Sequence, residues 1–158
     1  MHARIYAAGT LEMSASARTD FRRAVRYLER DGRMREIVRR AEHAGRTLHL
    51  HLNHRGDDSF GPSTDTIAWD PHSALQTSEG GRQSPALGLG HELDHATVAA
   101  AIRARGEARP DPAYDNREER RVIRGSEAHA ARTLGEAARH DHAGSLYVVA
   151  SPVARRVA

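Results

Sequence analysis

The sequence predicts a compact α+β domain, and three observations carry that prediction. Apolar residues recur at helical spacing near the start, with Phe21, Val25 and Leu28 followed by Met34, Ile37, Val38 and Ala41. The stretch "RTLHLHLNH", from Arg46 to His54, alternates Leu48, Leu50 and Leu52 with His49, His51 and His54, the pattern of a half-buried strand. Helical segments, strands, a central helix, further helices and a last strand then follow one another within 158 residues, a length that suits one hydrophobic core. Residues 1–158 are therefore read as a single domain, with 1–18 as a flexible N-terminal extension.

Each element has its own signals. Asp31-Gly32 interrupts the helical pattern between Thr19 and Ala44, which predicts two short helices, the second closed by Gly45. After the Arg46–His54 strand, "RGDDSFGPSTD" reads as a loop and "TDTIAWDP" as a second strand ended by Pro71. Thr64 to Trp69 is expected at the edge of the sheet, either as plain framework or as a place where an extended peptide adds as a strand. "HSALQTSEGGRQ" reads as another loop. Ser84-Pro85 predicts a helix start, serine as cap and proline in the first turn, for a helix reaching about Arg105. The prolines of "GEARPDPAYDN" end it. A further helix is expected from Arg117 to Arg124, with Gly125-Ser126 ending it and capping another that reaches about His140, and "GSLYVVASP" reads as a final strand.

Composition narrows the function classes. No apolar run approaches bilayer length, and the first twenty residues lack the basic start and apolar segment of a secretory signal, so a soluble chain is expected. With Cys 0, disulfide frameworks and thiolate metal sites are excluded, leaving His, Asp and Glu as ligands. All 24 basic residues are arginine, which fits either a GC-rich genome or a protein that works inside another cell and offers no lysine for ubiquitin. The net charge of +3 is mild, and in "DFRRAVRYLERDGRMREIVRRAEH" arginines interleave with acids. That suggests solvated helix faces rather than a nucleic-acid groove, and no nucleic-acid or membrane partner is expected.

The most informative segment is "GLGHELDHATVAAAI". On a helix His91 and His95 lie one turn apart on the same face, where both imidazoles can bind one zinc ion, and Glu92 is offset so as to reach a water rather than the ion. With 11 histidines and 21 acids a chance HExxH is not rare, so placement inside an apolar, capped helix matters as much as spacing. Asp94 should point away from the ion, where it orients a ligand, meets an arginine, or marks a degraded site. The alternating His49, His51 and His54 are read as the wetter face of a sheet, because strand neighbours two apart rarely converge on an ion. For the third ligand, the segment after Tyr114 offers Glu118, Glu119, Glu127, His129 and Glu136. Glu119 shares a stripe with Ile123 and is the first choice; Glu118, on the stripe of Val122, is the second; Glu127 lies beyond the expected Gly125 break.

Taken together, "FRRAVRYLERDGRMREIV", "TIAWDP", "LGHELDHA", "NREERRVIRGSE" and "LGEAARHDHAG" resemble the short NleD-like zinc metallopeptidases, type III secreted effectors with related toxin modules. Clostridial neurotoxin light chains are similar more distantly, with an HExxH helix, a glutamate pair whose second member binds zinc, and an Arg-x-x-Tyr. The resemblance covers about Phe21 to Tyr147 and implies a minimal zincin-like domain, a small sheet beside the HExxH helix and a second ligand-bearing helix. It places the Arg-x-x-Tyr on Arg139 and His142, with histidine in place of tyrosine, a donor of pH-dependent strength. Without the resemblance Arg139 reads as a surface arginine at a helix C-terminus.

The reading expected from these residues is a zinc endopeptidase. Glu92 would take the proton of an attacking water, and Arg139 and His142 would stabilise the oxyanion. What the resemblance implies further is a monomeric secreted effector that cleaves a host signalling protein of the MAP kinase class in the host cytoplasm. A catalytically impaired relative that binds a host protein, and an antibacterial protease toxin, are the alternatives; an arginine-driven nucleic-acid binder is the weakest.

Overall fold

In the computed structural model the described residues are Tyr6–Ala7 and 15–154. They form, in order, β1 (Tyr6–Ala7), α1 (Ala15–Leu28), α2 (Gly32–Glu42), β2 (His49–Leu52), β3 (Ser59–Gly61), β4 (Thr66–Trp69), β5 (Ser73–Thr77), β6 (Arg82–Gln83), α3 (Pro85–Thr97), α4 (Ala100–Glu107), β7 (Pro110–Asp111), β8 (Asp115–Asn116), α5 (Arg117–Val122), a π-helical turn (Ile123–Glu127), α6 (Ala128–Leu134) and β9 (Gly144–Val148). This is a compact α+β domain. Of the expected N-terminal extension, Tyr6–Ala7 pair as a strand and 15–18 belong to α1; the remainder lies outside the described residues. Among the described residues no helix is long and apolar enough to cross a membrane.

The two N-terminal helices separate where Asp31 caps the second, its Oδ1 accepting from the backbone N–H of Arg33 at 3.0 Å and of Met34 at 2.9 Å. α2 stops at Glu42, and Gly45 at φ +68° turns the chain into β2. The main sheet has the order β1-β2-β4-β3, parallel except for the antiparallel β3. Leu48 and Leu50 face the core, while His51 stays exposed and His49 partly so. One expectation fails here. β4 is internal, hydrogen-bonded to β2 on one side and to β3 on the other, and the outer strand is Ser59–Gly61, within the segment expected as a loop. A second expected loop, 72–83, contains the hairpin β5–β6, and β5 also pairs along its whole length with β9.

α3 is the centre of the molecule, buried along almost its whole length from Pro85 to Ala96. Gly90 lets α1 and α2 approach closely, because a Cβ there would stand 3.0 Å from Leu28 Cδ2 and from Met34 Sδ. Trp69 Nε1 donates to Pro85 O at 2.8 Å and ties β4 to the start of α3. Ser84 occupies the cap position, but its hydroxyl donates to Glu136 Oε1 at 2.8 Å rather than accepting from the helix, and Ala86 N–H finds Pro152 O instead. α3 ends at Thr97, short of the expected Arg105. Val98 and Ala99 are extended, and the freed carbonyls of His95 and Ala96 accept from Arg103 and Arg46. α6 stops at Leu134 rather than near His140 because Gly135 takes the left-handed conformation, φ +75°.

Candidate metal centre

The site forms where α3 meets α5 and the turn that follows it. Asn116 caps α5, accepting from Glu118 N–H at 2.9 Å and Glu119 N–H at 3.0 Å. Its first turn crosses α4 at Gly106, where a Cβ would come within 2.9 Å of Glu118 Cβ. This close approach aims both glutamates at the buried face of α3.

His91 and His95 turn their Nε2 atoms toward one point, 2.9 Å apart. Glu119 completes the group, its Oε2 lying 2.9 Å from His91 Nε2 and its Oε1 3.2 Å from His95 Nε2. One ligand atom from each of the three side chains lies within 4.8 Å of the others, and this buried group could hold a metal ion. Glu118 takes a different place. It faces the far side of the second ring, Oε1 at 3.0 Å from His95 Nδ1, and is held there by Arg121, whose Nη1 also donates to Asp94 Oδ1 at 2.9 Å. Asp94 thus meets an arginine, and it accepts from Ser126 Oγ as well.

Glu127 is the residue sequence reasoning set aside. The expected break at Gly125-Ser126 does not occur: the chain widens into a π turn and continues helical. In an uninterrupted helix Glu127 would stand about 80° round from Glu119, whereas the residue accommodated by the π turn restores it to Glu119's face. There it is 1 % exposed and accepts four hydrogen bonds. These run to His91 Nδ1 at 2.7 Å, Gln83 Nε2 at 3.0 Å, and Arg139 Nε and Nη2 at 2.8 and 2.9 Å. Both histidines therefore have Nδ1 fixed by a buried carboxylate and Nε2 directed at Glu119, the arrangement that sets tautomer and basicity in metal-ligating imidazoles.

Glu92 is buried beside this group, its Oε1 4.0 Å from His91 Nε2. Burial raises its pKa against the lowering influence of His91 and His95. For His91, burial opposes the charged form, but the hydrogen bonds to Glu119 and Glu127 prevail and push it up to about 10. His95 moves up as well, burial being overcome by its bonds to Glu118 and Glu119. Glu119 is held well below the usual carboxylate range, its burial outweighed by the two imidazoles.

Arg139 reaches the site through Glu127, with Nη2 also 3.4 Å from His91 Nδ1. His142 stacks near the His91 ring at 6.4 Å between centroids, with Nε2 3.5 Å from Glu119 Oε2 and Nδ1 on Asp115. The other candidates lie elsewhere: His129 pairs with the capping Asp31 at 2.7 Å, and Glu136 accepts from Tyr27 and Ser84. A cavity of about 190 Å³ opens beside the group, and His91, Glu92, Glu127, Arg139 and His142 all contribute to its wall. No protein-family model, curated protein sequence or solved structure matches the chain.

Proposed function

We propose that the protein is a zinc-dependent endopeptidase of minimal zincin-like architecture. The observation that carries this reading is the convergence of His91 Nε2, His95 Nε2 and Glu119, with both Nδ1 atoms on buried carboxylates and Glu92 alongside. Two imidazoles and one carboxylate without sulfur suit zinc, and three protein ligands leave a position open for water or substrate. Zinc bound there supplies a Lewis acid that activates water at neutral pH.

The chain's own residues do the rest. Glu92, whose pKa is raised by burial, accepts the proton of the attacking water and returns it to the leaving amine. His142 and Arg139, both on the cavity wall, serve as donors to the oxyanion, and Arg139 also holds Glu127 against His91. Asp94 is engaged by Arg121 and Ser126, so it braces Glu118 and the His95 ring rather than spoiling the site. The resemblance in the motifs extends the proposal to a monomeric secreted effector acting on a host signalling protein of the MAP kinase class.

The test is cleavage of a host-kinase panel by zinc-loaded wild type and Glu92→Gln. Cleavage by the wild type alone supports the reading, and equal cleavage by both defeats the mechanism. A zinc-loaded wild type that cuts nothing on a broad panel transfers the proposal to a binding module built on the same site. Cleavage confined to bacterial proteins makes the chain an antibacterial toxin module.

A further inference from the structure

The cavity beside Glu92 is also lined by residues that take no part in the His91, His95 and Glu119 group. Leu75, Pro85 and Leu146 give it aliphatic surface, and Asp58 contributes a carboxylate among polar neighbours that include Asp57 and Ser73. Asp58 is held in place: its Oδ1 accepts from Asp70 N–H at 2.8 Å, and its Oδ2 rests on Gly88, where any Cβ would collide with it. Gly88 precedes Glu92 by one helical turn on the same face of α3, so the carboxylate stands about one turn, roughly 5 Å, along the helix from the proposed base.

The basic side chains that share this cavity already have carboxylate partners. Arg139 is bidentate on Glu127, His91 lies between Glu127 and Glu119, and His142 pairs with Asp115. Among the described residues none forms an ion pair with Asp58. The result is a cavity of mixed lining that offers aliphatic surface on Leu75, Pro85 and Leu146 and a carboxylate without an ion-pair partner, which matches a side chain with an aliphatic stem and a cationic head. We infer that this cavity is the subsite for a lysine or arginine side chain of the substrate polypeptide next to the scissile bond, with Asp58 as the specificity-determining residue. The inference rests on the peptidase reading above. Burial, with the charges of Glu92 and Asp70, pushes Asp58 up to about 7 against the lowering influence of the Asp70 N–H and of His91.

The test compares peptides that differ only at one position flanking the bond, carrying arginine, lysine, norleucine or glutamate. Wild type should prefer the basic peptides over norleucine by about tenfold or more in kcat/KM, the worth of one charge-assisted hydrogen bond. Asp58→Asn keeps an acceptor for Asp70 N–H, and in it the ratio should collapse toward one. Asp58→Arg should turn the preference toward glutamate, and Gly88→Ala, which displaces the carboxylate, should weaken it. A preference unchanged in Asp58→Asn, or no basic preference at either flanking position, overturns the inference. A second measurement is independent of turnover. Acetyl-arginine-amide should shift the Gly88 amide resonance of the wild type where acetyl-norleucine-amide does not, and Asp58→Asn should abolish the difference. Equal shifts from both ligands overturn the subsite; discrimination by a protein that cuts no peptide upholds the subsite and overturns the peptidase reading instead.

Discussion

Replacing Glu127 by glutamine tests the claim that a buried carboxylate behind His91 prepares the metal group. The native side chain accepts from Arg139 twice, from Gln83 and from His91, and is 1 % exposed. Glutamine keeps the shape but removes the charge and turns an NH₂ group toward donors. Two effects follow. Loss of a partner behind a ligating histidine costs about 10–100-fold in metal affinity, or about 1.4–2.7 kcal/mol. Removal of one member of a buried ion pair leaves Arg139 uncompensated and costs about 3–5 kcal/mol of folding stability. Zinc affinity is read by competition with a chromophoric chelator, and stability by urea unfolding of the chelator-treated protein. The double variant Glu127→Leu/Arg139→Met separates the effects, since it should recover stability without recovering zinc affinity. A Glu127→Gln protein with wild-type zinc affinity and an unchanged urea midpoint would mean that the buried carboxylate neither positions His91 nor compensates Arg139.

Three further outcomes are expected. Glu92→Gln should lower peptide cleavage by about 10²–10⁴-fold while far-UV circular dichroism stays that of the wild type; full cleavage removes Glu92 from the chemistry. His91 in the metal-free site has a pKa above the unfolded value, so the stability it contributes is complete below pH 6.5 and is lost as pH rises through about 10. The melting temperature of chelator-treated protein should therefore fall from pH 6.5 to 9 while zinc affinity rises, since zinc must displace that proton; a rising metal-free melting temperature contradicts the charged His91. Gly90→Val should destabilise by about 1–3 kcal/mol through overpacking against Leu28 and Met34, read from the urea midpoint, and a neutral result means α1 and α2 yield more easily than the close approach suggests.

Much of this arrangement is legible in the chain because short-range chemistry determines it. The two-helix start follows from Asp31 acting as a cap, and β2 follows from the alternation of Leu48, Leu50 and Leu52. The four-residue spacing of His91 and His95 becomes a shared face as soon as α3 forms. What escapes sequence reading is set at longer range. β5 exists because it pairs with β9, some seventy residues on, and its polar "SALQT" gives no local sign of that. The outer position of β3 depends on partners that local pattern does not name. Glu127 was hidden by a π turn, which shifts helical register by one residue where Gly125-Ser126 reads as a stop. Helical stripe position separates Glu119 from Glu118 only in part: Glu118 is the more deeply buried, yet its carboxylate goes to the far side of the His95 ring.

Whether His91, His95 and Glu119 hold zinc is decided by the zinc content of purified protein, determined by elemental analysis for wild type, Glu119→Gln, His95→Ala and Glu92→Gln. A single zinc per chain is expected in wild type and in Glu92→Gln, because Glu92 stands beside the proposed ligands, and marked loss in Glu119→Gln and His95→Ala. Full zinc retention by Glu119→Gln and His95→Ala, or a wild type that takes up no zinc, would contradict that expectation.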